Sequence, residues 1–173
     1  MSRNFVAYTL DTAPEAARAA LAENAKKFGA IPAPLARYAV SPLTLETALA
    51  GLTAFEQSSL AQLEREVLAM VMGRKNGCEF CLSLHRRLLG FMDAPAGLAD
   101  ALERGEPLGN ARLEAVRSFV LAVLQGAGDV SASEWQAFLD AGFDRRAALE
   151  IVVGIATCTL TTFANRLVET PLA

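Results

Sequence analysis

Helix-boundary signals punctuate the whole sequence. Glycine, proline and short polar residues recur at the places where helices start and stop, and no segment alternates apolar and polar residues over six positions between hairpin turns. Thr12-Ala13-Pro14-Glu15 has the form of a capping box and predicts a helix over residues 16–28 that stops at Gly29. Pro32 and Pro34 predict a short helix over 35–39, and Pro42 opens another over 43–55. Ser59, with Gln62 three residues on, predicts the cap of a helix that runs to about Asn76 and ends at Gly77. The next helix begins near Cys78 and ends at Gly90. Asp93-Ala94-Pro95 predicts a short helical segment to Glu103. Residues 111–125 read as helical, closed by Gly126 and Gly128. Ser131-Ala132-Ser133-Glu134 is a second capping box for a helix ending at Gly142, and Asp144 caps the last long helix, 145–168. The prediction is an all-α chain of about eight helices.

Composition narrows the class. At 173 residues the chain is one domain's worth, read as residues 35–168 forming a core and 1–34 a helical extension. Hydrophobic residues make up 53%, too many for a disordered chain. The net charge of −3 and pI near 5.2 lack the basic footprint of a nucleic-acid binder. The longest uncharged stretch, 151–165, has fifteen residues and carries four threonines, a cysteine and an asparagine, so no membrane span is predicted. Residues 1–10 show no apolar run of signal-peptide length, which makes the cytoplasm the expected compartment. The apolar excess predicts that some surface is hidden in an oligomer.

The chain has three cysteines and a single histidine. Cys78 and Cys81 are separated by two residues, and His85 follows four after the second. On a helix beginning near residue 78 these three positions lie within about a 60° arc, and the cysteines rise about 4.5 Å apart. That separation suits a disulfide, and a helix start favours a thiolate. The preceding helix is apolar on every face from 67 to 72, which predicts a buried central helix, and Glu64 and Glu66 enter it one turn earlier. Either carboxylate could orient His85; helical-wheel geometry does not choose between them. A zinc site made of the two cysteines, His85 and Glu66, or a merely structural buried pair of cysteines, are the competing readings. Cys158, on the apolar last helix, reads as a buried thiol, Met70 and Met72 as core filling and Trp135 as half-buried packing. Arg86 and Arg87 could draw an anionic substrate or pair with neighbouring acids, and are read first as a solvated face.

Glu66, an eleven-residue gap, then Cys78-Glu79-Phe80-Cys81-Leu82-Ser83-Leu84-His85 resembles the core of the AhpD-like (alkylhydroperoxidase D) branch of the carboxymuconolactone decarboxylase family. Its pattern is Glu, eleven residues, Cys-x-x-Cys, three residues, His, and it is matched at every spacing. Residues 111–117, the Ala141-Gly142-Phe143 turn and Phe163-Ala164-Asn165-Arg166 resemble the family's C-terminal half, with Asn165 and Arg166 expected in a structural or interface role. The resemblance implies an all-helical antioxidant thiol peroxidase that assembles into trimers or hexamers. It makes Cys81 the thiol that attacks an organic hydroperoxide or hydrogen peroxide, Cys78 the resolving thiol, and Glu66 with His85 a proton relay. An external dithiol, lipoyl- or thioredoxin-like, reduces the resulting disulfide, and no metal or bound cofactor is called for. Helix-terminus electrostatics alone favour Cys78 as the more acidic thiol. In the best-known member a second histidine precedes the second cysteine; here that place is Phe80, which removes one proton-handling group. The alternatives are a redox-sensing or non-catalytic helical scaffold, and a lactone-acid decarboxylase of the wider family.

Overall fold

The computed structural model describes residues 3–172. Among them there are nine helices and no strand: α1 (Glu15–Phe28), α2 (Ala33–Tyr38), α3 (Pro42–Glu56), α4 (Gln62–Lys75), α5 (Glu79–Leu89), α6 (Leu98–Arg104), α7 (Ala111–Gln125), α8 (Ala132–Asp140) and α9 (Arg145–Leu167). The all-helical expectation holds, and the count rises from about eight to nine. α7 spans the expected residues, and its Asn110 side chain accepts from the N–H groups of Arg112 and Leu113. The second capping box is present too: Ser131 accepts from the Glu134 N–H, and Glu134 closes back on the Ser131 N–H.

Three helix starts differ from expectation. Thr12 does not cap α1. It exchanges hydrogen bonds with Thr9 in a turn, and Pro14 stands at the cap position. Ser59 does not cap α4, because Glu150 of α9 takes both its N–H and its hydroxyl; α4 starts from Ala61, whose N–H donates to Glu64 Oε2 at 2.8 Å. α6 starts only at Leu98, after Gly97 has turned the chain through the left-handed region.

α4 is the axis of the larger core. Val67, Leu68, Met70 and Met72 are at most 1% exposed, and Ala69 and Val71 are buried as well, so the helix has no solvent face over this run. α5, α6, α7 and α9 pack around it. Phe138 of α8 stacks between Phe119 and Phe143, with ring centroids 4.0 and 4.6 Å away, while Trp135 lies half-buried at the rim of that aromatic group. A second core joins α1, α2 and α3 through Ala17, Leu21, Tyr38 and Leu45 to Val168 just past α9.

At 23 residues, with a window of mean hydropathy 1.7, α9 is long and apolar enough by length and composition to cross a membrane. The expectation of no span rested on its fifteen uncharged residues. In the fold, α9 buries Ile151, Gly154, Cys158 and Thr162 against α3 and α4. Gly154 permits that approach: a Cβ there would lie 2.5 Å from Phe55 Cε2 and 2.8 Å from Leu68 Cδ1.

Candidate active site

The turn between α4 and α5 sets up the cysteine pair. α4 ends in a Schellman motif: the Gly77 N–H donates to the Arg74 carbonyl at 3.1 Å and the Cys78 N–H to the Gly73 carbonyl at 2.8 Å. Gly77 takes the left-handed conformation (φ +63°) that this motif needs. Cys78 is thereby held in extended conformation as the N-cap of α5, and its sulfur accepts from the Cys81 N–H at 3.3 Å. Cys78 therefore stands just before the helix rather than on its stripe. The sulfurs of Cys78 and Cys81 are joined in a disulfide, with the Cα atoms 5.2 Å apart. Both cysteines are buried, at 1% and 5% exposure.

One helical turn beyond Cys81, His85 places Nδ1 2.7 Å from Glu66 Oε2 of α4, and both side chains are mostly buried. The wheel left Glu64 and Glu66 open; the packing separates them. Glu64, 3% exposed, is taken by Arg112 Nε at 2.6 Å and by the Ala61 N–H. It serves the fold, and Glu66 faces the histidine. Because a carboxylate only accepts, Nδ1–H of His85 donates to it and Nε2 is the ring nitrogen left for proton exchange. Arg86 lies on an exposed face, as expected, and pairs there with Asp100 and Glu103 of α6.

The sequence reading missed the α9 side of the site. Asn165 is buried, and its Nδ2–H donates to Cys81 Sγ at 3.4 Å. Its Oδ1 accepts from the hydroxyls of Tyr38 at 2.6 Å and Thr170 at 3.1 Å. Asn76, the last residue before the Gly77 turn, is tied to α9 from both ends: its amide donates to Thr162 Oγ1 and its carbonyl accepts from Arg166. A polar Asn-Arg pair ending an apolar helix was the visible signal; Tyr38, more than a hundred residues earlier, carried none. Cys158 is buried as expected. Desolvation, and secondarily the charge of Glu66, push its thiol up to about 12.

Among the described residues no group of three or more His, Cys, Asp or Glu side chains converges as metal ligands would. Two surface depressions, of about 310 and 590 Å³, lie at the α6–α7 connection and along α7 and α8, away from the cysteines.

No protein-family model matches the sequence, and no curated protein does. Solved structures do match in shape. The alkylhydroperoxidase AhpD core of an uncharacterized peroxidase-related protein from Ralstonia eutropha JMP134 superposes with a TM-score of 0.84 at 20% identity, covering 98% of this chain and 91% of that one. An uncharacterized peroxidase-related protein from Silicibacter sp. TM1040 gives 0.72 at 23% identity, covering 99% and 93%. A cysteine-to-alanine variant of the debrominase Bmp8, in complex with 2,3,4-tribromopyrrole, gives 0.77 at 14% identity, covering 100% and 93%. Over essentially its whole length, then, this chain has the AhpD-like fold of these peroxidase-related proteins.

Proposed function

We propose that the protein is a thiol-dependent hydroperoxidase working through the Cys78–Cys81 couple. The observation that carries this reading is the pair itself, seated at the start of α5 one turn from a histidine whose Nδ1 is held by Glu66. In the dithiol state the Cys81 thiolate attacks the outer oxygen of a hydroperoxide. The S–O bond forms, the O–O bond breaks, and the alcohol or water leaves with a proton supplied by His85, leaving a sulfenic acid. Cys78 then attacks that sulfur, expelling water and closing the disulfide. An external dithiol, lipoyl- or thioredoxin-like, returns both thiols to the reduced state. Glu66 keeps the histidine in one tautomer throughout.

Residues 35–168 are read as the catalytic core, with 1–34 an extension, and the cytoplasm is the compartment that keeps such a couple reduced between turnovers. A homo-oligomer, trimer or hexamer, is supported by α9, which exposes Leu149, Val152, Val153, Phe163 and Leu167 along one stripe. The test is hydroperoxide consumption with dithiothreitol as reductant. Cys81→Ser abolishes it under this reading, and full activity in that variant would refute it. Loss with Cys78→Ser but not Cys81→Ser would exchange the two roles.

The debrominase among the similar structures supports a second reading, in which the same two thiols replace a carbon-bound bromine by hydrogen and emerge as a disulfide and bromide. Bromide release from 2,3,4-tribromopyrrole without peroxide consumption would favour it.

A further inference from the structure

We infer that Asn165 is the hydrogen-bond donor that holds the Cys81 sulfur as a thiolate once its bond to Cys78 is cut, with Tyr38 and Thr170 as the positioning residues that aim it. The inference rests on the dithiol reading of the site. It assigns to this asparagine a role beyond the structural one expected from the sequence.

The orientation of the amide follows from its surroundings. Two hydroxyls converge on Oδ1, and both donate: Tyr38 shares its proton between Asn165 Oδ1 and the Thr161 carbonyl, and Thr170 Oγ1 donates from the chain just past α9. Burial holds the tyrosine in its protonated, donating form. With Oδ1 so occupied, Nδ2–H is turned to the sulfur 3.4 Å away. The backbone fixes Thr170 as well. The Thr170 N–H donates to the Asn165 carbonyl at 3.0 Å, in a helix-ending motif that puts Glu169 at φ +53°.

Two charged side chains that could otherwise serve are already engaged. Glu66 is paired with His85, and Arg166 donates to the Asn76 carbonyl. The Cys81 N–H and the α5 terminus act on the Cys78 sulfur, which on its own makes Cys78 the more stabilised thiolate. Asn165 supplies Cys81 with a donor of its own. Its site is buried, where an amide hydrogen bond to an anion is strong and an unpaired sulfur anion is costly. Disulfide cleavage by the external dithiol yields two thiols. The proton leaving Cys81 passes to His85 or to water, and the amide N–H then faces the anion.

The test uses the full-length protein in a Cys78→Ser, Cys158→Ala background, so that Cys81 is the one thiol left to alkylate. The rate of alkylation by iodoacetamide is followed from pH 5 to 10. Asn165→Leu is expected to move the alkylation midpoint up by about one pH unit, about tenfold less thiolate at a given pH below it. Asn165→Asp, which puts a carboxylate beside the sulfur, is expected to move it further in the same direction. Tyr38→Phe with Thr170→Val, which keeps volume and removes both aiming hydroxyls, is expected to give a smaller upward shift. Melting temperatures recorded in parallel separate loss of fold from loss of the donor. Unchanged midpoints in folded Asn165 variants overturn the inference. If neither Asn165 variant folds, an unchanged midpoint in the Tyr38, Thr170 variant overturns it. Alkylation needs no hydroperoxide, so inactivity of the wild-type protein toward peroxides would refute the proposed function and leave this measurement readable.

Discussion

Glu64 and Glu66 lie two residues apart on one buried helix, and the structure assigns them opposite consequences. Replacing Glu66 by Gln preserves shape and removes the charge facing His85 Nδ1 at 2.7 Å. A hydrogen bond to a charged group contributes about 1.5–3 kcal/mol, which at about 1.4 kcal/mol per decade corresponds to roughly 10- to 100-fold in rate. Both side chains keep some exposure, 13% and 23%, which places the expected loss near the lower end. The fold should hardly notice, since Glu66 anchors no helix end. Glu64→Gln is the mirror case. Its carboxylate is 4% exposed and holds Arg112 together with the Ala61 N–H, so its loss should lower stability by about 1–3 kcal/mol while leaving the rate per folded molecule within about threefold. The assay pairs cumene hydroperoxide consumption with dithiothreitol against urea midpoints for both variants. A Glu64 variant that is stable but inactive, beside an active Glu66 variant, would refute the assignment of the relay.

Gly154→Ala would press its Cβ into the Phe55 ring and Leu68, and should cost about 1–3 kcal/mol in a urea melt; a neutral result would mean that α9 sits further from α3 than described. Cys158 makes stability depend on alkaline pH. Its folded thiol titrates near 12 against an ordinary 9.0, so its contribution is complete below about 9 and is lost as pH rises toward 12. Between pH 9 and 11 the wild type should lose up to about 3 kcal/mol more than Cys158→Ala, and parallel losses would contradict the burial of this thiol. Val153→Glu on the exposed stripe of α9 should reduce the sedimenting mass to that of the monomer, while an unchanged mass would remove this stripe from the proposed interface.

The sequence carried the helical class, the central α4 and the α5 start because each is written in local spacing: apolar residues on every face of 67–72, a glycine that ends α4, a cysteine three residues before another. What it could not carry depended on partners far along the chain. Ser59 has the form of a cap, but Glu150, 91 residues later, takes it. Glu64 and Glu66 look alike until Arg112, 48 residues away, claims the first. Thr12 found Thr9 instead of the helix, a competition between two local hydrogen-bonding options that spacing alone does not rank. The donor on Cys81 depends on α2 and α9 meeting, and its Tyr38–Asn165 bond spans 127 residues.

Everything proposed for the site depends on Cys78 and Cys81 forming a working dithiol couple. The most direct test is to reduce the protein fully, remove the reductant, and titrate thiols under denaturing conditions before and after one equivalent of an organic hydroperoxide. A fall from three thiols to one is expected, with Cys158 the survivor. Three thiols remaining after the peroxide would contradict it.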